Sequence, residues 1–468
     1  MSAVPSVAGR VREAERLVHA RRFAEGEAQA AQALHEDPRQ ARAHYVVGLS
    51  RLLQSRPAEA LDHMQRAVDA DPGEAQFHFG RAACLDALER VDEAVAAYRH
   101  AIELRPAFFE AAANLGNVLE RAARCEEGAD AYRAALALRP DEPLVLNGLG
   151  HCELSLKRHA AAVPVLERAL ALKPDFASAM NHLANALGRV GQPERAVDLL
   201  RRAVALQPDF VEAWVNLGER LYLLNDDRGA IAAFDRVIAL DPANGEVRYM
   251  RDAIAGVAAE RAPDEYVRRF FDRFAPEFDR RLTGELGYRG PAVLPSFLDP
   301  LLEGRAGLRA VDLGCGTGLS GLAIRPKAAF LAGVDLSPKM LERARDRAVY
   351  DELAQDELVA FLERVPPESF DLALALDVLV YVGNLQPVMR ACARALAPRG
   401  VFAFSVERLD DMEHGYRQAR TGRYAHARAY AEAEAHVAGF AVLALQEADL
   451  RKEGGKPVPG LIFALRKA

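Results

Sequence analysis

Two acids and a run of glycines in the second half of the chain have the types and spacing for chemistry. Val311-Asp312-Leu313-Gly314-Cys315-Gly316-Thr317-Gly318 reads as a strand entering a glycine-rich turn that opens a helix. Gly333-Val334-Asp335 ends a second strand on an acid. Glycine has no side chain, so the backbone can turn sharply here and a ligand can lie against it. A carboxylate at the tip of the second strand can accept hydrogen bonds from both hydroxyls of a ribose. This order of parts suits an adenosine-containing cofactor at the carboxyl edge of a parallel sheet.

The details select among such cofactors. A dinucleotide fingerprint requires Gly-x-Gly-x-x-Gly. Here the third glycine, Gly318, comes one residue early and Leu319 follows it. Asp312 lies two residues before the first glycine, where a carboxylate repels a pyrophosphate and attracts a cationic amine. S-adenosylmethionine has such an amine and no phosphate. The segment resembles motif I of class I S-adenosylmethionine-dependent methyltransferases, and Asp335 resembles their ribose-binding acid. The resemblance implies an α/β Rossmann-like domain with Gly314, Cys315, Gly316 and Gly318 against the cofactor.

The elements that must position these residues unroll in alternation. Residues 308–313 and 330–335 read as strands one and two. Residues 318–324 read as helix one, and 337–345 as helix two, with Ser337 as N-cap and Pro338 at the first position. Leu336 is placed to pack on the adenine. Residues 352–356 read as a short third strand, with Asp356 where the family has an acid that accepts from the adenine amino group. Residues 370–382 form a continuous apolar run suited to a buried parallel strand and its exit, with Asp371 at its start and Asp377 towards the carboxyl edge. A helix at 385–396 and strands at 400–406, 441–447 and 461–465 complete the domain, the last of them antiparallel. Before the core, Phe270, Phe271, Phe274 and Phe278 crowd one segment. This segment resembles the aromatic lid of small-molecule methyltransferases, which places Phe278 beside the sulfonium, where a ring face attracts a cation and excludes water.

The acceptor is less legible. Tyr424 and His426, in a predicted loop, are the candidate catalytic residues, able to orient or deprotonate an acceptor hydroxyl. Asp377-Val378-Leu379 follows Leu376 where amide and exocyclic-amine methyltransferases carry Asn/Asp-Pro-Pro-Tyr, which favours methylation of oxygen or carbon over nitrogen. The runs Tyr350-Asp351-Glu352-Leu353, 377–383 and 422–426 resemble a bacterial group of predicted methyltransferases related to trans-aconitate methyltransferase-like enzymes, which also carry tetratricopeptide (TPR) repeats.

The first half of the chain has such a repeat. Prolines recur every 34 residues, at 38, 72, 106, 140, 174, 208 and 242. Small residues hold the same phase (Ala14, Gly48, Ala82, Gly116, Gly150, Ala184, Gly218), as do large ones (Met64, Tyr98, Tyr132, Leu166, Leu200, Phe234). Small residues let paired helices approach, large ones fill the space between pairs, and proline ends each second helix. The pattern resembles seven TPR units over about 7–244, with a capping helix at 245–260. The expectation is therefore a two-domain chain: an all-α TPR solenoid with its cap (1–262), then the class I methyltransferase domain with its lid (263–468). The solenoid's concave groove suits a protein or peptide partner, and Asn114 and Asn216 share a first-helix phase from which a peptide backbone can be bonded.

Composition narrows the rest. A net charge of −7 gives no basic footprint for nucleic acid. Five dispersed cysteines have no metal-ligand spacing and read as reduced thiols, so no metal is expected. No apolar stretch is long enough to span a membrane and no secretory segment is evident, so the chain reads as cytoplasmic. The leading expectation is a methyltransferase whose repeats recruit a protein or a carrier-bound small-molecule acceptor. The alternatives are a TPR scaffold whose Rossmann-like domain binds the cofactor without turnover, and another enzyme using the cofactor without net methyl transfer.

Overall fold

The computed structural model describes residues 6–257, 259–280, 282, 284, 287, 288, 290–302, 304–412, 415–453 and 455–468. They form two compact units that divide between Leu224 and Asn225.

The first unit is a series of helices, α1 (Val7–His19) to α13 (Val211–Leu223), that alternate between 13 and 14 residues. Each buries one stripe. In α12 (Pro193–Leu206), Pro193 starts the helix, and Ala196, Val197, Leu200, Ala203 and Val204 are buried at helical spacing. The phase-locked small and large residues meet as the sequence predicts. The Tyr132 ring is buried between Gly116 and Gly148, where an added Cβ on either would lie 2.5 Å from a ring atom. The turns inside the hairpins are not written in glycine. Arg21, Ser55, Glu89, Ala123 and Lys157 hold left-handed backbone at the same 34-residue period, and only the turn at Gly191 uses a glycine. The array also uses a polar group that the sequence offers to a peptide. The Asn216 Nδ2 donates to Asn181 Oδ1 at 2.7 Å.

The second unit opens with α14 (Asp227–Leu240) and α15 (Gly245–Ala255), which ends at Gly256 with φ +70°, short of the expected Glu260. The aromatic segment follows as α16 (Asp264–Phe274) and a short turn α17 (Phe278–Arg280), and then α18 (Gly290–Leu298). The sheet begins with β1 (Leu308–Leu313), α19 (Leu319–Ile324), β2 (Ala328–Asp335), α20 (Pro338–Asp346) and β3 (Glu352–Gln355). It continues with α21 (Leu358–Arg364), β4 (Phe370–Ala375), α22 (Gln386–Ala395), β5 (Leu396–Arg408), β6 (Tyr416–Gln418) and β7 (Tyr424–His426). The chain ends with α23 (Arg428–Val437), β8 (Phe440–Glu453) and β9 (Lys456–Lys467). Strands β3-β2-β1-β4-β5 are parallel in that order, β9 is antiparallel to β5, and β8 is antiparallel to β9. Alternate residues along β1 enter different cores. Val311 and Leu313 pack with α21, α22 and α23, and Leu308 and Ala310 pack with α18 and α19. Burial on both faces is what a parallel sheet requires.

One element differs in kind from the sequence expectation. Tyr424 and His426 lie in strand β7, paired to the end of β5 and to β6, and not in a loop. Pairing on both sides, to Glu407 and Arg408 of β5 and to Tyr416–Gln418 of β6, outweighs the turn signal of Gly422, which is spent on the turn just before the strand.

Gly116→Ala is expected to lower the stability of the repeat unit by about 1–3 kcal/mol, because overpacking against Tyr132 outweighs the roughly 1 kcal/mol that alanine gains as a helix former. Urea denaturation checks this; a stabilised variant would mean that the ring moves aside freely. A chain starting at Asn225 should unfold at a higher temperature than one starting at Pro263. The shorter chain loses the Tyr249 ring, buried 4.8 Å from Tyr266, and its hydroxyl bond to the Gly422 carbonyl. Equal midpoints would show that α14 and α15 add nothing to this unit.

Candidate functional site

The turn after β1 holds Gly314, Gly316 and Gly318 at φ +66°, +53° and +92°, conformations that side chains resist. A Cβ on Gly314 would lie 2.3 Å from Val378, whereas one on Gly316 would point into the cavity, its nearest neighbour Phe278 at 3.8 Å. Asp335 fixes this turn. Its Oδ2 accepts the Gly316 N–H at 2.9 Å and its Oδ1 accepts the Ser337 N–H at 2.8 Å. Each oxygen keeps a lone pair for another donor. Burial pushes its carboxyl up to about 6, opposed by those two backbone bonds.

The aromatic segment walls the other side. Phe271 and Phe278 meet edge to face at 5.9 Å, and Phe271 meets Tyr381 at 5.6 Å. Acids latch it to the glycine turn. Thr317 Oγ1 donates to Asp279 at 2.5 Å, and Arg347 donates to the other oxygen of Asp279. Ser337, which caps α20 by accepting from the Met340 N–H at 3.1 Å, donates to Asp272 at 2.6 Å.

At the exit of β4, Asp377 adopts φ +56°, a strained setting for a residue with a side chain. Its N–H donates to Ser405 Oγ at 2.9 Å, and its Oδ1 accepts from Arg451 at 2.6 Å. Arg451 is buried and also donates to Glu407. These bonds compensate the strain and turn Asp377 towards the cavity wall.

Eight of the sequence-predicted residues line one cavity: Gly314, Cys315, Gly316, Asp335, Leu336, Asp356, Asp377 and Phe278. Asp356 Oδ1 accepts the Glu357 N–H at 2.9 Å and its other oxygen pairs with Arg364. Four others lie elsewhere. Gly318 is the N-cap of α19. Asp312 is buried and accepts from Tyr350 Oη at 2.7 Å, so it does not face the cavity as an electrostatic lure for an amine. Tyr424 is buried with its hydroxyl donating to the Ala259 carbonyl at 3.0 Å. His426 is buried with Nε2 bonded to the Gly383 carbonyl at 3.0 Å, and burial lowers its pKa to about 4. Tyr381 and Arg423 line the cavity and were not singled out by sequence. Both fall inside the runs 377–383 and 422–426, so position beside a marked motif was the available signal.

Burial raises Asp312 to about 7, Tyr350's bond opposing it and Asp335 adding to it. Carboxyls in an unfolded chain titrate near 4. The folded unit therefore holds protons on Asp312 and Asp335 that the unfolded chain releases, so their contribution to stability is full below about 4 and is lost as pH rises through about 6 and 7. Asp312→Asn keeps an acceptor for Tyr350 but cannot ionise. Its urea midpoint should fall less steeply than wild type between pH 4.5 and 7.5; parallel curves would mean that Asp312 titrates normally.

Comparison with known proteins agrees with this layout. Residues 311–404 match the family model described as a methyltransferase domain. Residues 11–75, 54–107, 113–175 and 182–245 match that of the tetratricopeptide repeat. The ubiquinone biosynthesis O-methyltransferase of Idiomarina loihiensis is 33% identical over 112 residues, 23% of this chain and 46% of that protein. Its namesake in Neisseria meningitidis serogroup A is 34% identical over 104 residues, 21% of this chain and 44% of that protein. The chain thus spans less than half the length of these relatives. A solved S-adenosylmethionine dependent methyltransferase from Mesorhizobium loti is 27% identical with a TM-score of 0.30, covering 37% of this chain and 96% of that one. The chain carries a tetratricopeptide-repeat array followed by a class I S-adenosylmethionine-dependent methyltransferase domain.

Proposed function

We propose that the chain is a working methyltransferase that transfers a methyl group from S-adenosylmethionine to oxygen or carbon of a small-molecule or carrier-bound acceptor, and that its TPR array recruits the protein partner or carrier presenting that acceptor. The observation that carries this is the open face of Gly316 beside the Asp335 carboxylate. The residues present fit the cofactor. A Cβ at 316 would fill the cradle, Asp335 has acceptor capacity for ribose hydroxyls, and Asp356 sits on the same wall for a donor such as an amino group. Leu336, Leu358 and Val378 supply apolar surface for a base. When bound, S-adenosylmethionine supplies a methyl already activated on a sulfonium, taken by the acceptor as the S–CH₃ bond breaks.

The chain's own residues then position and dry the site. Phe271, Phe274 and Phe278 exclude water and present ring faces to a cation. Asp377, fixed by Arg451 and Ser405, orients groups at the β4 edge. Tyr424 Oη and His426 Nε2 bond backbone carbonyls and neither residue lines the cavity, so they act through the fold of β7 and not on the acceptor. The absence of a Pro-Pro-Tyr run after Asp377 supports oxygen or carbon over nitrogen, and the relatives' O-methyltransferase name supports oxygen. The proposed division of labour is repeats and cap in 1–262 and transfer in 263–468. Five free, buried cysteines support a reducing, cytoplasmic setting.

Titration of S-adenosylhomocysteine should show saturable binding that Asp335→Ala weakens by about 1–3 kcal/mol, the worth of a charged hydrogen-bond pair. Methyl-labelled cofactor should mark an acceptor in a lysate. Binding without any transfer would leave a scaffold that only holds the cofactor; no binding would remove both readings.

A further inference from the structure

Two donors on the cavity wall have no acid within hydrogen-bond reach among the described residues. The Arg423 side chain is 18% exposed, and its nearest carboxylate oxygens, on Glu407 and Glu453, are 3.9 and 4.0 Å away, beyond hydrogen-bond reach. The acids that would otherwise pair with it are taken, since Arg451 donates to both Asp377 and Glu407. Arg261, on the same wall, is paired with Asp264 and lies 2.8 Å from Glu357. The second donor is Tyr381. It is 7% exposed, and its hydroxyl oxygen is buried with no acceptor for its proton among the described residues. Its polar neighbour is Arg423, whose guanidinium lies 5.8 Å from the ring centre. A guanidinium only donates, so it offers no acceptor for the phenol's proton. A buried donor left in this state costs about 1–3 kcal/mol.

Two adjacent donors of this kind are complementary to a group that only accepts. A carboxylate has two oxygens, matches the planar fork of a guanidinium and takes a phenol proton as a third bond. The surrounding wall is aromatic: Phe271 and Phe270 stand 5.6 and 6.5 Å from the Tyr381 ring. We infer that Arg423 and Tyr381 form an anion subsite that holds the carboxylate of an aromatic acid as the methyl acceptor. This rests on the cofactor reading above, because Arg423, Tyr381 and Asp335 line the same cavity.

The test uses the full chain saturated with S-adenosylhomocysteine, whose own titration reports separately on the cofactor site. Benzoate, phenylacetate and cinnamate are then titrated against their amides by calorimetry or ligand-observed NMR. The acids should bind about tenfold or more tightly than the amides. Arg423→Gln and Tyr381→Phe should each remove most of that preference. Tyr381→Phe deletes a single oxygen and guards against a folding defect in the arginine variant. Amides binding as well as acids, acids failing to bind while S-adenosylhomocysteine binds, or variants that keep the preference would each overturn the anion subsite. Failure of S-adenosylhomocysteine to bind would instead overturn the cofactor reading beneath it.

Discussion

The Asp335 carboxylate holds together three segments that the sheet alone would leave apart. Through Gly316 it grips the turn after β1, through Ser337 it starts α20, and as the last residue of β2 it is itself placed by pairing with Gln355. The turn it grips has three glycines in left-handed backbone, an arrangement with little stability of its own. Two backbone N–H bonds to a charged oxygen pair are stronger than neutral ones, and they offset that cost. The same residue is therefore both the brace of the turn and part of the cavity lining. Burial is the opposing force, and it keeps the acid only moderately acidic.

A second buried acid depends on space and not on strain. Asp312 lies under the turn, and Tyr350 reaches it across ground that Gly321 and Gly333 leave open. A Cβ on Gly321 would lie 2.4 Å from the Tyr350 hydroxyl, and one on Gly333 would lie 2.9 Å from its ring. Without that hydroxyl the carboxylate would be a buried group short of a partner. Asp312 belongs to the scaffold of the site, and the acids that do line the cavity are others, Asp335 among them.

What the sequence made legible followed from periodicity and from residues with a single physical use. The 34-residue phase placed Tyr132 between Gly116 and Gly148, and Ser337-Pro338 marked the start of α20 to the residue. The turns between paired helices were hidden because Arg21, Ser55 and Glu89 carry no left-handed preference; packing of the helices imposes it. Strand β7 was hidden because three residues between glycine and helix have no periodicity to read. The charge cluster at the β4 exit was hidden for a different reason. Asp377, Glu407 and Arg451 come from a loop and from strands β5 and β8, and no local pattern records that they meet.

That cluster sets which charges are paired on one side of the cavity. Burying Arg451 between two carboxylates exchanges a desolvation penalty for a fixed geometry. It satisfies Asp377 and Glu407 from behind, so that neither is free to fold over Arg423. Burial opposes a charge on Arg423, yet Tyr381, Asp377 and Glu407 are close enough to hold it as a cation without bonding it through an acid. Had Arg451 been apolar, Asp377 and Glu407 would need another cation, and Arg423 already lies 3.9 Å from Glu407. The inner ion pair thus consumes the acids, and among the described residues no carboxylate comes within hydrogen-bond reach of the outer guanidinium beside the aromatic wall.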